Sequence, residues 1–299
     1  MRSAVGNEGY TYGEWIGAAA AGRGVLDWLS ERYPHASAAV WETRIDGGEV
    51  LLDGAPALPR QILRAGQRLE WKRPPWLEPE VPLHFELLHE DAHVIAVAKP
   101  SGLPTQPAGG FHAHTLQALV QARFPGADPL HRLGRGTSGI VLFARSPEAR
   151  SQLSRALREG GMLKVYRTLA GGQPPWDERR IEVPIGPVPH PMLGTLHAAS
   201  PEGRPARSHA FVIERRAEET LLDVRIETGR PHQIRIHLAA VGHPLVGDPL
   251  YRVGGVPAPD ALPGDEGYLL HAMTLGFPHP ATGWFELHAP PPAALRPRR

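Results

Sequence analysis

His131-Arg132-Leu133-Gly134-Arg135-Gly136-Thr137-Ser138-Gly139 is the stretch that decides how this chain is read. Basic and hydroxylated residues alternate with glycine. An apolar run, Ile140-Val141-Leu142-Phe143-Ala144, follows at once. The polar stretch is therefore predicted to be a loop that enters a buried strand. Glycine at 134 has no side chain, so that position can neither attack, accept a proton nor carry charge.

Composition narrows the classes. The 299 residues allow two domains, and 41% apolar with 21% charged residues is ordinary for a globular chain with a proper core. With no cysteine, disulfides and thiolate metal sites are excluded, which fits a reducing cytoplasm. The net charge of +1 gives no bulk argument for a nucleic-acid partner, so any RNA contact must be local. The most signal-like piece, Trp15 to Ala21, is short and preceded by Glu8 and Glu14, and fails as a secretory core. No apolar run approaches the roughly 20 residues of a spanning helix, so no membrane role is expected.

Outward from the opening stretch, residues 1–72 read as a small α+β unit. Val25, Leu26, Trp28, Leu29 and Tyr33 have helical spacing. Glu49 to Leu52 is a strand turning at Asp53-Gly54, and Arg64 to Trp71 gives a turn and strand. Residues 73–82, with Pro74, Pro75, Pro79 and Pro82, read as a stiff linker. Residues 83–289 read as a second domain. Val94–Ala98, Ile140–Ala144, Leu163–Leu169, Leu221–Ile226, Leu275–Phe277 and Trp284–Leu287 are predicted strands. Ser146-Pro147-Glu148 starts a helix with a cap, a first-turn proline and a dipole-favoured acid; Gly160-Gly161 ends it. Pro231–Ala240 is a further predicted helix. Residues 290–299 form a proline-rich basic tail expected to be disordered. The whole is α+β with a mixed, mostly antiparallel sheet in the second domain.

Four segments occur in one order: Lys99-Pro100-Ser101-Gly102; the Gly134 loop; Lys164-Val165-Tyr166; and Thr228-Gly229-Arg230-Pro231-His232-Gln233-Ile234-Arg235, continuing through Gly247-Asp248-Pro249. Over about residues 80–290 the chain resembles the RluA-type RNA pseudouridine synthases. In that family the loop reads H-R-L-D-x-x-T-S-G, and its aspartate is catalytic; here that position is Gly134. The strand–Asp-Gly–Ala-Gly-Gln–strand pattern of residues 1–72 loosely resembles the S-four-type RNA-binding domain often joined to such enzymes.

The resemblance implies isomerisation of uridine to pseudouridine in rRNA or tRNA, without metal or organic cofactor; a cytoplasmic protein is expected, its oligomeric state open with a monomer favoured. It places Tyr166 on the target base and near its carbon-bound proton. It makes Arg235 the partner of the family's aspartate, and sets Arg132 in the gap left by the extruded base. His131, Arg135, Thr137, Lys99, Arg230, His232 and Gln233 are the further RNA-contact candidates. An aromatic ring suits an extruded base, and a guanidinium suits a carboxylate or phosphate in a dry cleft.

Plainer readings stand beside these. Tyr166 alone reads as edge packing, Arg235 as a surface ion-pair partner, Asp248 as a turn residue, and Gly136 and Gly139 as backbone freedom at a strand entry. His232 and His237 are five apart, wrong for a shared helical metal face. Gly134 admits three readings: a drifted loop in an inactive protein, a substitute that is a water or another carboxylate such as Asp128 or Glu227, or an active enzyme using an unfamiliar route; the alternative function is a catalytically silent RNA-binding protein. A buried Arg235 without its acid would be costly unless phosphate or water pairs it.

Overall fold

The chain divides between Glu78 and Pro79, inside the proline-rich stretch of residues 73–82. The structure, a computed structural model, describes residues 7–264 and 266–298. In the first unit, β1 (Tyr10–Trp15), α1 (Val25–Arg32), α2 (Ala38–Asp46), β2 (Val50–Leu52), β3 (Ala55–Pro56) and β4 (Arg68–Arg73) build an antiparallel sheet of order β1-β4-β2-β3. Asp53 and Gly54 both take positive φ, 51° and 82°, as a two-residue hairpin turn of the right twist requires. The Asp53 carboxylate accepts from Arg68 N and Gln67 Nε2, each at 2.8 Å, and so ties the hairpin to β4. Val25, Leu29, Trp41, Ile45, Val50, Leu63 and Leu69 form the core. The sequence reading lacked β1 and α2; α2 buries only Trp41 and Ile45, too few to stand out as a stripe.

The second unit runs β5 (Glu86–Glu90), β6 (Val94–Lys99), α3 (Leu116–Arg123), β7 (Asp128–Pro129), β8 (Ser138–Ala144), α4 (Pro147–Arg158), β9 (Leu163–Gly171), β10 (Glu178–Ile181), β11 (Ile185–His190), β12 (Gly194–Ala199), β13 (Ser208–Arg215), β14 (Glu219–Ile226), α5 (Gln233–Ala240), β15 (Tyr251–Arg252), β16 (Val256–Pro257), β17 (Leu270–His279) and β18 (Gly283–His288). Its main sheet has the order β10-β13-β14-β9-β17-β8-β6-β5, with β18 on β17 and β7 on β8. The pairing is antiparallel except for a short parallel contact of β17 with β8. The fold is α+β and mostly antiparallel, as the strand-rich pattern implies.

Local features at the two ends of β8 follow from the sequence. The side chain of Ser146 accepts from Ala149 N at 3.2 Å, with Pro147 at the first turn, so α4 starts where its capping residues say. Gly139, at φ 110°, passes β17 so closely that a Cβ would stand 2.2 Å from Ala272 O. Only glycine allows this approach, which sets the β8–β17 register. Gly136 is different. Its φ is not positive, and what it leaves room for is the Tyr268 ring, 3.1 Å from a would-be Cβ.

The tail expected to be disordered docks instead. Ala293–Leu295 form a 3-10 turn, and Leu295 is buried against Leu169 and Leu221. The guanidinium of Arg216 donates to Arg296 O at 2.8 Å, and that of Arg167 to Leu295 O at 3.4 Å. The prolines already restrict the chain, so one apolar anchor and a few carbonyl contacts suffice to order it. No helix among the described residues is long and apolar enough to cross a membrane.

Candidate active site

Lys99 shows how the loop around Gly134 is held. Its ammonium is buried, and donates to Leu103 O at 2.6 Å, Pro100 O at 2.9 Å and Arg135 O at 3.1 Å. Three acceptors match the three protons of the charged form, although burial pushes the group down to about 7. Gly102 N also donates to Arg135 O at 2.8 Å, Ser101 Oγ to Gly136 O at 2.7 Å, and Thr105 Oγ1 to Leu133 O at 2.9 Å. Thr137 N closes a turn on Gly134 O at 3.0 Å. The Lys-Pro-Ser-Gly turn is thus the brace of the Gly134 loop. Lys99 was a candidate RNA contact; its burial corrects that, because the charge is spent inside the protein.

Three more candidates turn inward. His131 Nε2 accepts from Leu142 N at 3.2 Å, and burial pushes the ring down to about 4, so it is neutral. Thr137 is buried beside Tyr268, with the hydroxyls 3.3 Å apart. Gln233 is buried too. Its amide donates to Arg207 O and Ser208 Oγ, and accepts from Thr228 Oγ1 and Arg230 N. It fastens the start of α5 and is not placed to touch RNA. By contrast Arg132 is exposed. Arg135 stands 2.9 Å from Glu266 and over the Phe111 ring, and the Nε of Arg230 donates to Pro205 O at 3.0 Å.

Tyr166, Ala272 and Gly139 lie in one row across β9, β17 and β8. Two strand spacings, about 10 Å, separate the outer members. The half-buried Tyr166 packs against two clusters: one includes Leu133, beside Gly134, and the other includes Ile234, beside Arg235, together with Tyr268. Burial pushes its phenol up to about 12. The three core positions of the motif set therefore share one neighbourhood.

Arg235 has its acid after all. Its Nε and Nη2 grip Asp248 Oδ2 and Oδ1 at 2.7 and 2.6 Å, with the two side chains 2% and 0% exposed. Asp248 does make the expected turn, accepting from Leu250 N at 2.9 Å, but it also neutralises the buried guanidinium. Burial works against the charge on Arg235; the Asp248 bonds outweigh it and raise its affinity for the proton. The guanidinium lies over the Tyr268 ring at 4.1 Å and the Tyr251 ring at 5.1 Å. Among the described residues its Nη1 is buried with no hydrogen-bond partner.

His232 precedes α5 in the left-handed region at φ 54°. The Tyr251 hydroxyl donates to His197 O at 2.7 Å, so it accepts from His232 Nδ1, also at 2.7 Å. Burial, followed by the nearby Arg235 charge, pushes His232 down to about 3 and keeps it neutral. The two proposed substitute carboxylates are engaged elsewhere. Asp128 is ion-paired with Arg150 and sits opposite Ala144, at the end of β8 remote from the loop; Glu227 is ion-paired with Arg207. The residue the sequence reading missed is Tyr268, whose hydroxyl lies 3.1 Å from a would-be Cβ on Gly134. The signal was faint: a single tyrosine between glycine and leucines at a strand start.

One cluster away from the cleft has metal-ligand composition. His89 Nε2 and His279 Nε2 each stand 2.9 Å from Asp91 Oδ2. His279 Nδ1 accepts from Ala281 N and Thr282 N, which leaves its proton on Nε2, the atom a cation would need. The Asp91 carboxylate is already engaged by His89 Nε2, His93 N and Val94 N, so the trio reads as a local polar cluster rather than a ligand set.

Residues 93–240 match the family model described as RNA pseudouridylate synthase. An uncharacterized RNA pseudouridine synthase of Synechocystis is 46% identical over 276 residues, covering 91% of this chain and 95% of that one. A ribosomal large subunit pseudouridine synthase D of Neisseria meningitidis is 33% identical over 275 residues, covering 87% and 72%. Among solved structures, human RNA pseudouridylate synthase domain containing 1 superposes with a TM-score of 0.55 over 72% of this chain and 86% of that one, at 24% identity.

Proposed function

Because the chain belongs to the RNA pseudouridine synthase family, and so is an isomerase, we propose that it is an RluA-type enzyme converting uridine to pseudouridine in rRNA or tRNA in the cytoplasm. The observation that carries this reading is the convergence of Tyr166, the Gly134 loop and Arg235 around Tyr268. A ribosomal RNA target draws support from the similarity to a large-subunit enzyme.

In this reading the target uridine leaves its stack and enters the cleft, where Tyr166 provides a ring to lie on. Arg132, exposed on the loop, fills the gap in the RNA or holds phosphate. Arg235 stays paired with Asp248 and supplies fixed positive charge beside the reacting base. Residues 1–78 add a second grip on structured RNA, and the increment is one of avidity. No observation favours a silent RNA-binding protein over this reading.

The test is direct. Purified protein is incubated with total RNA from cells lacking the gene. Pseudouridines are then marked with a carbodiimide and located as reverse-transcription stops. New stops at one or a few uridines of rRNA or tRNA are expected. Conversion of no uridine in either RNA class overturns the reading.

A further inference from the structure

The space beside Gly134 is filled by Tyr268. Its Oη stands 3.1 Å from a would-be Cβ at 134, and its ring stands 3.1 Å from one at 136, so both glycines make room for the same side chain. Tyr268 is 4% exposed, and its ring lies under the Arg235 guanidinium at 4.1 Å. A buried tyrosine hydroxyl ordinarily finds a close partner. Here the Thr137 Oγ1 contact stands at 3.3 Å, long for a hydroxyl pair. The hydroxyl is thus fixed in place by its ring and held only loosely at its tip, beside the exposed backbone of Gly134.

We propose that the Tyr268 hydroxyl is the acid–base group of this site, working where the family's carboxylate would stand. The proposal rests on the reading of the chain as a uridine isomerase. In that reaction the N1–C1′ bond breaks and a C5–C1′ bond forms. As the first bond breaks, its electron pair stays on N1, and the phenol gives N1 its proton. The free base turns about its C6–N3 axis, which brings C5 to the place N1 held. C5 then attacks C1′, and the hydrogen made surplus on C5 passes to the phenolate. The enzyme's proton is now on N1, the C5 proton is on the enzyme, and no co-reactant is consumed. One fixed group serves both transfers because the rotation exchanges the two atoms in front of it.

The surroundings suit a phenolate that exists only between the two transfers. The Arg235 cation faces the ring, and the brief positive charge at C1′ would form next to the phenolate. Asp248 neutralises that cation through Nε and Nη2, and the Tyr251 ring stands 5.1 Å from it. The Thr137 hydroxyl is a polar neighbour of the phenol at 3.3 Å.

Tyr268→Phe keeps the ring under Arg235 and removes only the hydroxyl. Loss of general acid–base help predicts a fall in kcat of about 10²–10⁴-fold. RNA affinity and melting temperature are expected to match wild type. A kcat within about threefold of wild type, while wild type converts uridine, overturns the proposal alone. A wild type that converts none overturns the functional reading, and the proposal falls with it. Should the phenylalanine variant fail to fold, a fluorinated tyrosine placed at 268 decides. The more acidic phenol is expected to move the alkaline limb of the kcat profile to lower pH, and an unmoved profile overturns the proposal.

Discussion

Replacing Asp248 by asparagine probes the centre of the site with a change of almost no volume. Asp248 holds Arg235 by two hydrogen bonds of 2.6 and 2.7 Å in a place where both side chains are essentially solvent-free. Asparagine keeps one acceptor for Leu250 N but turns an amide N–H group toward the guanidinium. The cation is then buried without a counter-charge. Removing one member of a buried pair costs about 3–5 kcal/mol, against about 0–1 for an exposed pair. The Tyr268 and Tyr251 rings offset part of this, but a desolvated cation–π contact is worth about 2 kcal/mol. The net expectation is a loss of about 2–4 kcal/mol from the second unit. For a unit of this size each kcal/mol lowers Tm by about 2–4 °C, so the transition should fall by roughly 4–16 °C. Calorimetry of the full chain, following the transition of the second unit, measures it. A loss under about 1 kcal/mol would mean that rings and water carry the guanidinium, and that the ion pair is not what holds Arg235 in place.

Two further outcomes follow from the same geometry. Gly134 is outside the positive-φ region, so aspartate is allowed there by backbone; its Cβ, however, meets Tyr268 Oη at 3.1 Å. Gly134→Asp should therefore cost about 1–3 kcal/mol by overpacking. Adding Tyr268→Phe should recover most of that loss, whereas additivity within about 0.5 kcal/mol in urea titrations would remove the contact. The pH prediction rests on His131, His232 and His237, which burial pushes down to about 4, about 3 and about 4. Unfolded histidines take up protons near pH 6.5 while these folded ones stay neutral, so the unfolded chain binds more protons in that window. Stability should hold above pH 6.5 and fall as pH drops toward 4, by about 1 kcal/mol per histidine per pH unit; an unfolding midpoint that is flat from pH 7 to 4.5 would contradict the burial of all three.

The parts of the fold legible in the sequence are those written locally. The apolar runs Val94–Ala98 and Ile140–Ala144 became neighbouring buried strands, and Ser146-Pro147 started α4 where capping chemistry said. The Asp53-Gly54 turn followed from the conformations those two residues tolerate. What escaped was non-local. The three carbonyls around the Lys99 ammonium come from Pro100, Leu103 and Arg135, and Arg135 stands 36 residues away. A lysine in a polar turn reads as exposed until those acceptors converge on it. Leu295 was hidden for the opposite reason: a single leucine in a proline-rich tail carries no periodicity, and only its pocket against Leu169 and Leu221 orders it.

The same distinction changes what Arg235 says about the site. From sequence, a buried arginine facing Gly134 implies a missing acid, and argues that something must fill its place. In the fold that acid is Asp248, thirteen residues on, so the guanidinium is neutralised without any side chain at 134. The burial of Arg235 alone therefore calls for no carboxylate at 134; what bears on catalysis is its place over the Tyr268 ring. The discriminating residue is instead Tyr268. Packing alone would be served by phenylalanine, because the ring accounts for the contacts with Arg235 and Gly136. The hydroxyl adds one long contact to Thr137, little stability, and a protic group at the position of the missing side chain. Of the groups that meet at Gly134, it is the one whose presence the fold does not require.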